Sequence, residues 1–263
     1  MSPTSSAGLA DLISTQAIDR YRISSDASHF HLIPQAVATA DSAESVASLL
    51  LHAASKNTSV TFRSGGTSLS GQAVSDAILI DARRHFRKIE VLDNGLRVKV
   101  EPGATVRAVN ARLARFGRKL GPDPASEIAC TIGGVIANNS SGMACGITDN
   151  TYRTLQSATV VLAGGAIINT AHPASESQLK GAAPDLYTSL ATLKSEIDSR
   201  PDLISEITRQ YQIKNTMGYG LNSFVDFQSI IDIFLHLLIG SEGTLGFVSE
   251  AIFETLVLRL TFP

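Results

Sequence analysis

The run Arg63-Ser64-Gly65-Gly66-Thr67-Ser68-Leu69-Ser70-Gly71-Gln72 offers backbone chemistry more than side-chain chemistry. Two adjacent glycines permit positive φ and close approach to whatever lies alongside. Successive N–H groups turned toward one point form a concave nest suited to a phosphate or pyrophosphate. An ordinary Gly-rich connection is the competing reading for any lone Gly-Gly. Two further stretches weaken that alternative: residues 121–142, centred on Cys130-Thr131-Ile132-Gly133-Gly134, and Gly240-Ser241-Glu242-Gly243-Thr244-Leu245-Gly246.

The first loop is not a nucleoside-triphosphate P-loop, which needs Gly-Lys-Ser/Thr at its end. No lysine occurs between Lys56 and Lys88. Nor does a Gly-x-Gly-x-x-Gly open a helix here, so the dinucleotide fingerprint of the Rossmann fold is missing. Any anion at this loop is held mainly by backbone dipoles.

The elements that position the loop read as strand, helix, strand. Residues 34–38 predict a strand, and Asp41 with Glu44 resembles a capping box. Val46, Leu49, Leu50 and Ala53 then give a helix buried on one face. Residues 60–62 and 77–81 are strands on either side of the first loop, making a βαβ unit. Residues 9–23 have loosely helical spacing. Asp93-Asn94-Gly95 predicts a hairpin between residues 89–91 and 96–100. A second helix carries Val106, Val109, Leu113 and Phe116 on its apolar face and ends at Gly117. Arg107, Arg112 and Arg115 form its solvated side.

Small side chains over residues 130–142 imply a flat or bulky group against the backbone, or else a tightly packed helix and turn. A second hairpin is expected over 155–170. A helix follows with Leu186, Leu190, Leu193 and Ile197 inward, then helical pieces over 202–211 and 230–239, and a strand over 247–255. The loop 214–220 has no physical interpretation from sequence.

Composition bounds the function. The chain has 263 residues, 44% hydrophobic and 17% charged, with net charge −2. A substantial core follows, and nothing suggests nucleic acid or an anionic membrane surface as a partner. Cys130 and Cys145 form no Cys-x-x-Cys pair, which fits a reducing compartment and excludes a self-contained iron–sulfur site. His29 and His31 lack a third ligand and read as solvated loop residues; no metal site is expected. The N-terminus lacks a signal-peptide pattern, and residues 230–239 are too short to span a bilayer. The expected location is cytoplasmic, with peripheral attachment to the inner membrane face as an option.

Taken together and in this order, the three loops resemble the FAD-binding domain of the vanillyl-alcohol-oxidase (PCMH-type) flavoprotein superfamily. The nearest branch is that of D-2-hydroxy-acid dehydrogenases: D-lactate dehydrogenase, the glycolate oxidase flavin subunit and D-2-hydroxyglutarate dehydrogenase. Asn150-Thr151-Tyr152-Arg153-Thr154-Leu155 and the 214–220 loop resemble long members fused to an iron–sulfur domain. The likeness runs over about residues 27–254.

This resemblance implies an α+β fold of two subdomains, about 31–102 and about 103–255, with FAD between them. Residues 1–30 would be an extension, partly disordered and then helical. Ser64, Gly65, Gly66, Thr67 and Ser68, with Gln72, would cradle the pyrophosphate. Pro124, Ser126, Thr131, Gly133 and Gly134 would line the flavin and its ribityl chain, and Asn138, Ser141 and Gly142 would continue that wall. Glu242, Gly243 and Thr244 would close from the far side. Hydride would pass from the α-carbon of a small 2-hydroxy acid to flavin N5. Electrons would go on to an iron–sulfur domain or subunit, a cytochrome or a quinone.

Two departures qualify the likeness. Relatives that attach FAD covalently here carry His after the Gly-Gly; this chain has Thr67, so non-covalent FAD is expected, with Cys130 packed instead of bonded. Residues 256–263 are read as a truncated tail without the family's substrate cap, and no catalytic base is assigned. His85 is read into a charged turn and His236 into its helix. A flavin-binding module without turnover of its own, and another flavin enzyme of the superfamily, are the alternatives.

Overall fold

The computed structural model describes residues 8–258. Residues 1–7, expected to be disordered, and residues 259–263 of the expected tail lie outside them. The loosely helical run breaks into α1 (Leu9–Leu12), β1 (Ile13–Ser14) and α2 (Ala17–Arg22). The interruption has a backbone cause: Ile13 and Ser14 pair with Ala38 and Val37 of β2 (Ala36–Ala38). One short helical turn has too few hydrogen bonds to resist that pairing.

Next comes α3 (Ala43–Ser55), capped one residue later than expected. Ser42, not Asp41, is the N-cap: its hydroxyl accepts the Ser45 N–H at 3.2 Å, and the Ser45 hydroxyl accepts the Ser42 N–H at 3.0 Å. Serine at N3 does the work expected of Glu44. Val46, Leu49 and Ala53 are buried as their spacing requires. β3 (Val60–Arg63) and β4 (Ile78–Asp81) complete the first sheet in the order β1-β2-β4-β3. β2 and β3 both run parallel to β4, so β4 lies between the two strands of the βαβ unit.

β5 (Ile89–Leu92) and β6 (Arg97–Val100) form the Asn-Gly hairpin, with Asp93, Asn94 and Gly95 all at positive φ. This hairpin was expected in the first subdomain. It is hydrogen-bonded instead into the second sheet, so the sheets divide between β4 and β5 and not at residue 102. Thr105 caps α4 (Val106–Leu113). Phe116, expected inward, is 46% exposed, because the chain tightens into a 3-10 turn before Gly117 adopts φ 65°.

β7 (Arg118–Leu120), α5 (Ile132–Ala137), α6 (Thr151–Thr154), β8 (Leu155–Val161) and β9 (Ile167–Asn169) follow. β8 and β9 are the second expected hairpin. Sequence gave no sign of α7 (Ser175–Ala182). In α8 (Pro184–Asp198) Leu193 is exposed and the stem of Lys194 takes the inward place, with Nζ reaching Asp198. The Lys side chain buries its methylenes while its amine snorkels to a partner. α9 (Pro201–Gln210), α10 (Ser223–Asp226) and α11 (Ile230–Leu237) precede the last strand, β10 (Phe247–Val257).

β10 is central to the second sheet, ordered β5-β6-β10-β8-β9, and it pairs with β7 as well. Its first residue, Phe247, leaves that sheet's core for the other. Its ring lies 4.8 Å from Phe62 and 5.3 Å from Phe86, among Ala38 and Ile80. The two sheets of the α+β fold thus meet through Phe247, with Val161 of β8 in the same core, and a cleft lies beside the aromatic cluster.

Candidate functional site

The three Gly-rich loops meet beside Phe62 and Phe247 around a cleft of about 340 Å³. That volume falls within the usual range for small-molecule sites, about 300–1,000 Å³. The first loop is built over a cation. Arg63 at the end of β3 is 6% exposed; its guanidinium donates to Ala73 O at 2.9 Å and Ser25 O at 2.8 Å. Gly66, at φ 69°, lies directly on that guanidinium, leaving no space for a Cβ. Gly65 is equally confined by the Ala129 carbonyl of the second loop.

Ser64 ties the two loops together. Its hydroxyl accepts the Gly134 N–H at 3.0 Å and pairs with the Thr131 hydroxyl. The N–H groups of Gly65, Gly66, Thr67 and Ser68, in contrast, find no backbone acceptor among the described residues. Backbone donors are nearly always paired when they are withdrawn from water. Consecutive cleft-lining residues whose N–H groups have no backbone acceptor, one of them packed on a buried guanidinium, fit an anionic group such as a pyrophosphate.

The second loop serves the cleft along only part of its length. Ser126, Thr131, Gly133, Gly134 and Asn138 line it. Pro124, Ser141 and Gly142 do not. Pro124 is buried behind it. Gly142 packs on Asp123, donating to Oδ1 at 3.1 Å, while Lys214 Nζ takes the carbonyls of Ser141 at 3.0 Å and Gly142 at 2.8 Å. Asp123 also accepts from Ala144 and Cys145. Burial pushes its carboxyl up, but these N–H donors prevail and hold it below the usual range. The uninterpreted 214–220 loop therefore has a role: Lys214 fastens the turn that ends the second loop.

The small residues here answer to protein packing. A Cβ on Gly133 would fall 2.7 Å from Pro102 Cβ, and one on Gly134 would fall 3.1 Å from Ser64 Oγ. The tightly packed helix and turn is what these glycines make, and its outer face is the cleft wall.

The third loop hangs from the C-terminus of α5. Gly240 donates to Ile136 O at 3.0 Å and Glu242 to Ala137 O at 2.8 Å. Glu242 and Gly243, both at positive φ, line the cleft. Thr244 turns away, its hydroxyl bonded to Ser241 O and paired with Tyr219 Oη. Glu242 stays open to solvent on the cleft side, yet the surrounding walls strip enough water to push its carboxyl above the usual range. The side-chain amide of Gln72, also a lining residue, opposes that rise.

Sequence reasoning missed the apolar floor made by Phe62, Ala82, Pro102, Phe247 and Val248. Strand-end residues next to a Gly-rich loop were the available signal, and they read as core. Cys130 is 4% exposed, with its thiol pushed up by burial, so it is packed as expected although its edge reaches the cleft. His236 lies away from the cleft, stacked on Phe227 at 4.0 Å and against Tyr152 at 4.8 Å. No described helix is long and apolar enough to cross a membrane.

Comparison with known proteins bears on this site. The family model described as "FAD binding domain" matches residues 34–171, from before β2 to just after β9. D-2-hydroxyglutarate dehydrogenase of Pantoea ananatis is 32% identical over 90% of this chain and 24% of its own length. D-lactate dehydrogenase of Archaeoglobus fulgidus is 28% identical over 84% of this chain and 40% of its own. A solved alkyldihydroxyacetonephosphate synthase shares the fold, with TM-score 0.61 at 19% identity, covering 95% of this chain and 39% of that one. The chain spans about a quarter of the length of the D-2-hydroxyglutarate dehydrogenases of Pantoea ananatis and Escherichia coli. With more than half its residues under one family model, the chain belongs to the FAD binding domain family and its cofactor is FAD.

Proposed function

We propose that this chain is the flavin domain of a dehydrogenase that oxidises a small D-2-hydroxy acid, of the class of D-2-hydroxyglutarate, D-lactate or glycolate. The observation that carries the reading is the row of open amides from Gly65 to Ser68 above the Arg63 guanidinium. The names of its relatives, D-2-hydroxyglutarate and D-lactate dehydrogenases, support the substrate class.

When bound, FAD supplies the hydride-accepting chemistry, while the protein supplies position and field. The amides of Gly65, Gly66, Thr67 and Ser68 hold the pyrophosphate. Arg63 adds fixed positive charge beneath them. The Ser64–Thr131 pair presets the distance between the first two loops, so little ordering is left for binding. Phe62, Ala82 and Phe247 keep water from the floor. Thr67 offers no nucleophile for a covalent link, so FAD is held non-covalently. Bound FAD would pass its electrons to an iron–sulfur domain or subunit, a cytochrome or a quinone; a quinone would put the protein at the inner membrane face.

The test is the visible spectrum of the purified chain, with acid precipitation of one sample and anaerobic addition of each D-2-hydroxy acid to a second, native one. Flavin released from the first sample, and bleached in the second by one D-acid but not by its L-enantiomer where one exists, is the expected result. Flavin retained in the pellet overturns the non-covalent assignment. Colour that persists with every acid favours the second reading, a cofactor-binding module completed by further chain or by a partner. That reading draws on one feature: among the described residues, no histidine lines the cleft to act as base.

A further inference from the structure

Arg63 and Glu242 are the two charged residues on the cleft wall among the described residues, and they face it differently. The Arg63 guanidinium lies behind the first loop, committed to two carbonyls and covered by Gly66. Glu242 stands on the open side. Its N–H is tied to Ala137 O, its φ is 51°, and Gly243 follows at φ 79°. A non-glycine residue in the left-handed region is held there by its surroundings, so the backbone of Glu242 is fixed at the cleft edge.

The groups facing Glu242 are few. The first loop brings Gln72, with Arg63 behind Gly66; the second brings the Cys130 thiol. Among the described residues, the remainder of the third loop and the start of β10 bring no ionisable side chain to the cleft. Burial raises the pKa of Glu242, the nearby Gln72 amide only partly opposes this, and no neighbouring cation holds the carboxyl ionised. A dianionic diphosphate entering this cleft meets open amides on one side and an unpaired carboxyl on the other. Like charges that share a site favour the protonated carboxyl.

We propose that FAD binding takes up a proton at Glu242: the carboxyl is neutral when the pyrophosphate lies in the cleft, and its ionisation opposes binding. This rests on the FAD reading of the site. The sign follows from linkage. Below the carboxyl's pKa in the free protein, affinity does not change with pH. Between the free and bound pKa values, Kd rises about tenfold per pH unit. Above the bound value it levels off at its weakest.

The experiment is FAD titration by quenching of flavin fluorescence from about pH 5 to about pH 9, on the unmodified chain and on Glu242→Gln. Calorimetry in buffers of different ionisation enthalpy measures proton uptake on the unmodified chain, independently of whether the variant folds. Expected are uptake approaching one proton per FAD in the sloping region, and a flat profile for Glu242→Gln with tighter binding at high pH. A Glu242→Gln profile that keeps the slope, or binding without proton uptake at any pH, overturns the inference and leaves FAD binding intact. Failure of both proteins to bind FAD at every pH overturns the FAD reading, and the inference with it.

Discussion

The first and third loops are both Gly-rich, yet they use their backbones in opposite ways. From Gly65 to Ser68 the first loop keeps its amides open to the cleft. The third loop ties its amides to its own fold: Gly240 and Glu242 donate to α5, and Thr244 donates to Ser241 O at 3.0 Å. What it presents is a carboxyl. Packing differs as well. Gly65 and Gly66 have backbone or guanidinium against them, whereas a Cβ on Gly243 would meet only Phe62, at an ordinary 3.6 Å. A high glycine content therefore marks close approach without saying whether protein or ligand approaches.

The strongest way to break this contrast is Gly65→Ala. The new methyl collides with the Ala129 carbonyl, so the first and second loops must part. Overpacking of this kind costs about 1–3 kcal/mol. Loss of bound flavin and a lower thermal midpoint are expected; a variant that retains flavin would mean the loops are not held as described. Arg63→Met should follow closely. It leaves the buried Ala73 carbonyl without its donor, at about 1–3 kcal/mol, and frees the exposed Ser25 carbonyl to water. Denaturant unfolding reads the stability loss, and flavin titration should give a weaker Kd as well.

Gly243→Ala sharpens the comparison from the other side. Space is available, so only the left-handed backbone penalty applies, about 1–2 kcal/mol. Flavin content should survive this change, unlike Gly65→Ala. The smallest effect is expected from acid. His236 sits in α11, which leads into the third loop, with Nδ1 2.8 Å from Asp232 O and Asp226 and Arg153 nearby. Burial lowers its pKa below the usual histidine value, and the Asp232 hydrogen bond only partly offsets this. The unfolded chain therefore binds the proton first. Stability is full above the ordinary histidine pKa, about 6.5, and falls as pH drops below it until the folded-state pKa is passed. Unfolding midpoints at neutral and mildly acid pH check this. His236→Phe should flatten the trend.

Local signals with one physical answer were legible in the sequence. Asn94-Gly95 gave the hairpin, Val46, Leu49 and Ala53 gave the buried face of α3, and the Ser-Gly-Gly-Thr-Ser run gave the open nest. Signals with two answers were not. Gly142 is small because Asp123 occupies its side-chain space, and Thr244 faces Tyr219, so both fall outside the cleft despite their motifs. Arg63 gave no hint that it is the floor of the loop, because its partner Ser25 lies 38 residues away in the chain. The membership of the β5–β6 hairpin in the second sheet was hidden for the same reason: nothing local to β6 says that its other neighbour is β10.

β10 gives this architecture a temporal order. The strand pairs with β6, β7 and β8, yet it follows all of them in the chain. Its contacts span long stretches of sequence: Arg118 to Thr255 is 137 residues and Gln156 to Glu254 is 98. During synthesis the earlier strands leave the ribosome with their central partner still missing, and pairings of such high contact order form slowly. Phe247, which packs into the first sheet's core, arrives in that same strand. Assembly of the cleft thus waits for β10, and the preceding hairpins must stay out of aggregates until it emerges.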